Sequence, residues 1–148
     1  MIKQIIFDWK RTLYDPETQE LIAGAVEVLE FVKNKNISLV LIGKGGDDMK
    51  DEVERLGVRK YFSEIVFAEG DKDPNIFASH ISKYKPEDVI VIGDRVRSEL
   101  EIGNKLGATT IWVKQGKFAE EKPLNKEQSP DYTSSSLKDC LKLISNLQ

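Results

Sequence analysis

One cysteine, one histidine, no long apolar run and no excess of positive charge set the first limits on this chain of 148 residues. Cys140 has no partner for an intramolecular disulfide, so the chain fits a reducing compartment. It sits with Leu137, Leu141 and Ile144 at helical spacing, where a packed thiol is expected rather than a nucleophile. His80 lies beside the apolar stripe of its helix and is read as a surface residue. No apolar stretch approaches the ~20 residues that span a membrane. The N-terminus goes straight into a strand pattern, without a signal peptide. A soluble, cytoplasmic protein with no membrane partner is expected. The formal net charge of -3 argues against nucleic acid as a partner, since phosphate backbones attract basic surfaces. No internal repeat, low-complexity segment or domain boundary is visible, so one domain over residues 1–148 is expected.

What is present reads as globular. Apolar residues make up 40% and charged residues 32% of the chain. The Lys/Glu-rich composition hints at a thermophile. The organising stretch is Ile5-Ile6-Phe7-Asp8-Trp9-Lys10-Arg11-Thr12-Leu13. Its apolar run suits a strand buried on both faces, and it ends abruptly at a carboxylate. A polar loop with a turn at Asp15-Pro16 follows. Ala25, Val28, Leu29 and Val32 then mark a helix that stops in Lys33 to Asn36. Ile37 to Ile42 is a second strand, broken by Gly43-Lys44-Gly45-Gly46. Asp47 is expected to cap a helix carrying Met49, Val53 and Leu56. Ile65 to Phe67 is a third strand. Asp73 caps a helix with Pro74 at its first position and Phe77, Ile81 and Tyr84 on its buried stripe. Val89 to Ile92 is the fourth strand, a helix through Val96, Leu100 and Leu106 follows, and Thr109 to Val113 is the fifth. Residues 114–130 are read as a mobile surface loop and Leu137 to Leu147 as a closing helix. Strands alternating with helices predict parallel strands and helical crossovers, hence a three-layer α/β/α, Rossmann-like fold.

In such a sheet the ends of the strands share one edge, where ligands bind. Asp8, Gly43 to Gly46 and Gly93-Asp94 all fall there, and Glu99 is placed one helical turn beyond Asp94. Convergence of Asp8, Asp94 and Glu99 would offer three hard oxygen ligands, a set that suits Mg²⁺. The alternative for each aspartate alone is an ordinary strand-end residue that begins a turn.

The stretch IIFDWKRTL resembles the first motif of the haloacid dehalogenase-like (HAD) hydrolases, a strand followed by D-x-D-x-T. VIVIGDRVRSE resembles the fourth, Asp73 to Phe77 the third-motif region, and Pro130-Asp131-Tyr132 the usual C-terminal end. The resemblance implies a HAD-like parallel sheet and two-step phosphoryl transfer. Asp8 matches the nucleophile that becomes an aspartyl phosphate. The implied metal ligands are Asp8, the Lys10 carbonyl and Asp94, with Glu99 nearby, and Mg²⁺ is the implied cofactor. Members of this family screen the attack of a carboxylate on a phosphate with the metal and a lysine.

Four positions depart from the family pattern. Lys10 stands where the second aspartate acts as acid and base, a loss worth about 10²–10⁴ in rate. Gly43 stands at the Ser/Thr that binds phosphate, although the Gly43–Gly46 backbone and Lys44 could still hold an anion. A flexible loop is the other reading of that segment. The third-motif lysine is shifted by one, which makes Lys72 the candidate and puts Asp71 in the usual place. A plain surface lysine is the alternative. Glu99 replaces an aspartate and adds a methylene. Trp9 is expected to pack under or over the sheet edge, with stacking on a substrate as the alternative.

Only a short segment separates Leu13 from the first helix, and no insertion follows Gly43, so no cap domain is expected. An open site suits a large phosphorylated partner, or a small one enclosed by a second subunit as a homo-oligomer. Two function classes therefore stand: a capless, slow or specialised phosphatase, and a degenerate domain that binds phosphate, metal or a protein partner without turnover.

Overall fold

The computed structural model describes residues 1–148, and its elements follow the chain as β1 (Gln4–Phe7), β2 (Tyr14–Asp15), β3 (Glu20–Leu21), α1 (Ala25–Asn34), β4 (Ser38–Lys44), α2 (Asp47–Arg55), β5 (Glu64–Ala68), α3 (Pro74–Ile81), β6 (Val89–Gly93), α4 (Glu99–Lys105), β7 (Thr109–Val113), β8 (Tyr132–Ser134) and α5 (Leu137–Leu147). Six strands form one sheet in the order β5-β4-β1-β6-β7-β8, and every pairing in it is parallel. β1 is central. Phe7 is level with Leu41 on one side and Ile92 on the other, so the next residue of β1 emerges between two neighbours of matched length.

Alternate side chains of the strands feed two cores. Ile5, Phe7, Leu39, Leu41, Ile90 and Ile92 pack with α1, α2 and α5 on one face. Ile6, Val40, Ile42 and Val91 pack with Phe77 and Ile81 of α3 and Leu100 of α4 on the other. The three-layer α/β/α fold expected from the alternation is thus present. Cys140 lies in the first core with Leu137 and Ile144, as their spacing predicts. Burial pushes its thiol up to about 12.

Several local expectations need correction. The segment after Leu13 is a two-stranded antiparallel hairpin of β2 and β3 rather than a bare loop. β8 is a sixth parallel strand, too short to show a hydrophobic period. Residues 114–130 contain two 3-10 turns, Gly116–Phe118 and Lys126–Gln128. Asp47 is the first residue of α2, while Gly46 holds the capping position without a side-chain bond. α4 starts at Glu99, not before Val96. His80 is 5% exposed rather than at the surface: its ring bonds the Ile76 carbonyl at 2.8 Å and Glu64 at 2.7 Å. Asp73 does cap α3, with Pro74 next to it.

No domain is inserted between β1 and α1 or after β4; only the β2–β3 hairpin occupies the first point and a short turn the second. No helix is long and apolar enough to cross a membrane.

Candidate active site

At the C-terminal edge of the sheet, Asp8 leaves β1 and Asp94 leaves β6. The Asp8 N–H still donates to the Ile92 carbonyl at 3.0 Å, so the ladder fixes where the carboxylate begins. Asp94 is fixed from the other side, since its carbonyl accepts the Trp112 indole N–H at 2.9 Å. Glu99, at the start of α4, turns back over β6. A side chain on Gly93 would occupy its space: a Cβ there would sit 2.6 Å from the Glu99 carboxyl carbon. The extra methylene of glutamate is therefore accommodated above a residue without a side chain.

Asp8, Asp94 and Glu99 are all buried, and each offers an oxygen within 4.8 Å of the others. Lys72 lies between two of them, with its Nζ 2.5 Å from Asp8 Oδ1 and 2.7 Å from Glu99 Oε1. The second Glu99 oxygen accepts the Arg95 N–H at 2.8 Å. Thr12 Oγ1 stands 3.4 Å from both Asp8 Oδ2 and Asp94 Oδ1, and its one proton serves one of them at a time.

Three buried carboxylates with one ammonium leave negative charge uncompensated, and the acidities respond. Burial, followed by repulsion from Asp8 and Glu99, pushes Asp94 up to about 9. Burial also raises Glu99, which Lys72 partly offsets. Burial alone would lower Lys72, but Asp8 and Glu99 outweigh it and hold its ammonium well above the ordinary lysine range. A cluster short of one cation and built from oxygen donors fits a divalent metal ion. The Lys10 carbonyl adds an acceptor that makes no hydrogen bond within the chain.

A cavity of about 730 Å³ opens over this cluster, and Lys10, Lys44, Asp71 and Lys72 line it together with the three carboxylates. Gly43 does not. It is buried in β4 opposite Phe67, where a Cβ would come 2.5 Å from the ring and 3.2 Å from Trp9 Cβ. Packing therefore explains the glycine. The Gly45 N–H is also engaged, by the Ala68 carbonyl at 2.9 Å. Trp9 packs fully buried against Tyr14, rings stacked 5.2 Å apart, and has no access to the cavity.

Sequence reading assigned no role to Thr12, although its spacing of four from Asp8 was visible. It also missed the wall of the cavity formed by Phe118. Arg95 stacks on that ring at 4.2 Å and bonds Glu121 at 2.8 Å, while Gln115 donates to the carbonyls of Arg11 and Thr12 at 3.2 and 3.3 Å. No local signal marks these contacts.

Residues 69–140 match a family model described as HAD-hydrolase-like. Over 130 residues the chain is 28% identical to a glyceraldehyde 3-phosphate phosphatase of Pyrococcus furiosus, covering 83% of this chain and 54% of that one. It is 28% identical over 103 residues to a protein of the same name from Methanopyrus kandleri, covering 66% of this chain and 44% of the other. The chain thus spans about half the length of the curated relatives it matches. The crystal structure of an uncharacterized protein from Listeria monocytogenes serotype 4b has the same fold, with a TM-score of 0.81 at 18% identity over 99% of this chain and 98% of that one.

Proposed function

Because the chain belongs to the haloacid dehalogenase-like superfamily, we propose that it is a slow or specialised Mg²⁺-dependent phosphatase whose nucleophile is Asp8. One domain, residues 1–148, carries the whole site in this reading. The observation that supports it best is the convergence of Asp8, Asp94, Glu99 and Lys72 at one rim. Asp8, Asp94, Glu99 and the Lys10 carbonyl would hold the metal. When bound, Mg²⁺ supplies charge neutralisation for the carboxylates and for the phosphoryl oxygens.

The remaining chemistry falls to the side chains. Lys72 aims Asp8 and offers its ammonium to the phosphoryl oxygens. Lys44, exposed at the end of β4, meets the phosphate from the other side of the cavity. Asp8 attacks phosphorus and the alcohol leaves; water then cleaves the aspartyl phosphate and restores the carboxylate. Thr12 steadies Asp8 against Asp94. The weak point is protonation of the leaving group, because Lys10 presents an ammonium where relatives of this fold present a carboxyl. Gly43 has no part in binding phosphate in this scheme.

The curated relatives are named for small phosphorylated substrates, which supports a small molecule over a macromolecular partner or a site closed by a homo-oligomer. One observation favours the second reading, a domain that binds without turnover: Lys10 removes the acid while the binding groups remain. An aryl phosphate separates the two, since its leaving group needs little protonation. Mg²⁺-dependent hydrolysis that Asp8→Asn abolishes is expected. Equal activity of the parent and Asp8→Asn would sink the enzyme reading.

A further inference from the structure

Most of the positive charge around the cavity is already engaged. Lys72 is held by Asp8 and Glu99, Arg95 by Glu121 at 2.8 Å, and Lys105 by Glu101 at 3.2 Å. Arg11 is different. It lines the cavity, yet its guanidinium takes part in no ion pair and no hydrogen bond, and lies 5.7 Å from the centre of the Phe118 ring, which Arg95 approaches to 4.2 Å. A guanidinium is a planar fork of N–H donors, and here none of them has a partner within the chain.

The backbone supports the same conclusion. Arg11 has φ 64, in the left-handed region that glycine adopts freely and arginine does not. Its N–H donates to the Tyr14 carbonyl at 2.6 Å, and its carbonyl accepts from Gln115 at 3.2 Å. The tight turn after Lys10 would form more easily with glycine, so a strained arginine with unused donors marks a position where the side chain has a task. The distance along the chain is short: Asp8 is three residues earlier and opens into the same cavity.

We propose that Arg11 receives a second oxyanion on the substrate, a carboxylate or a phosphate, so that the site selects small phosphate esters with charge at both ends. This rests on the reading of the cavity as a phosphate-ester site. Lys10, also unpaired, stands next to Arg11 and adds to the attraction. The forked donor pairs with a carboxylate or phosphate through two parallel bonds, which a single ammonium cannot do. The preference sets this chain apart from the relatives named for glyceraldehyde 3-phosphate, whose far end is uncharged.

Calorimetric titrations at fixed free Mg²⁺ test it, using ligands that cannot be hydrolysed: methylphosphonate, phosphonoacetate and propane-1,3-bisphosphonate. Both two-anion ligands are expected to bind roughly tenfold or more tightly than methylphosphonate, and the tighter of the two identifies the second anion. Arg11→Gly suits the left-handed backbone and keeps the turn; it should remove most of that advantage. Arg11→Lys should retain only part of it, since charge remains and the fork does not. Equal affinity for all three ligands in the parent overturns the proposal, as does an advantage that survives in Arg11→Gly. If the advantage is present and Arg11-dependent but no phosphate ester is turned over, the phosphatase reading alone fails. Tight methylphosphonate binding without the advantage fails Arg11 alone.

Discussion

Replacing Gly93 by alanine reaches the packing that seats Glu99. The added methyl would lie 2.6 Å from the Glu99 carboxyl carbon and closer still to its Cγ, so one of the two must move. Gly93 is fixed in a central strand, which leaves Glu99. Its escape is expensive because it is 1% exposed, bonds Lys72 at 2.7 Å and takes the Arg95 N–H at 2.8 Å. Overpacking of this kind costs about 1–3 kcal/mol. Leaving the Arg95 N–H and one side of Lys72 without a partner adds about 1–3 kcal/mol. For a chain of this size the sum lowers the melting temperature by on the order of 10 °C. Shortening the acid should repair the damage: in Gly93→Ala/Glu99→Asp, one methylene fewer makes room for the methyl. The double variant should recover at least half of the lost stability, a coupling of about 1 kcal/mol or more in the cycle. Thermal denaturation followed by circular dichroism measures all four corners, and a Mg²⁺ titration of each reads the same effect at the site. A Gly93→Ala protein that melts within about 1 °C of the parent and binds Mg²⁺ equally well refutes this account of Glu99.

Lys10→Asp places a carboxyl two residues from Asp8 and, on the proposed phosphatase reading, should raise hydrolysis of alkyl phosphates at least several-fold, with a ceiling of about 10²–10⁴; a folded, Mg²⁺-binding variant with no gain would mean that other departures have disabled the site. Asp94, pushed up to about 9, carries its proton near neutrality in the metal-free protein. Mg²⁺ must displace that proton, so its affinity should rise up to about tenfold per pH unit below 9, with proton release seen as a buffer-dependent heat. The sign for stability is opposite. A carboxyl raised from 3.8 stabilises the metal-free fold most below that value and loses the contribution as pH rises toward 9, so the metal-free melting temperature should fall across this window. A flat affinity or a rising melting temperature contradicts the assignment. Cys140, buried and pushed up to about 12, should react with a thiol reagent at pH 8 only as fast as the chain opens; rapid labelling of the folded protein would be inconsistent with its place in the core.

How much of this was readable from the residues follows from the range of the forces involved. β1, β4, β6 and β7 announce themselves because strands buried on both faces are continuous apolar runs. α3 does so because Asp73 caps it locally, accepting the N–H two residues ahead, and α5 because Leu137, Leu141 and Ile144 recur at helical spacing. The meeting of Asp8, Asp94 and Glu99 was readable because a parallel sheet gathers its strand ends. Other features depend on partners distant in sequence. His80 is buried because Glu64, on β5, answers its ring. Gly43 reads as an anion-binding turn until Phe67 and Trp9 are seen to crowd it. α4 starts late because Glu99 reaches back to Arg95 N–H, a bond that no periodicity encodes. The role of Arg11 also comes from outside its own segment, from Phe118 and Gln115 on the far side of β7.

The segment that carries Phe118 is tied to the turns that follow Asp8 and Asp94 at a few points. Gln115 grips the turn after Asp8, Glu121 clasps Arg95, and the Lys122 carbonyl is held by Arg97 at 2.7 Å. None of these bonds belongs to the ladder of the sheet beneath. Warming should therefore unfasten this strap before the scaffold melts, and the phosphatase activity proposed above should be lost on heating, and regained on cooling, at temperatures where the strands and helices are still intact.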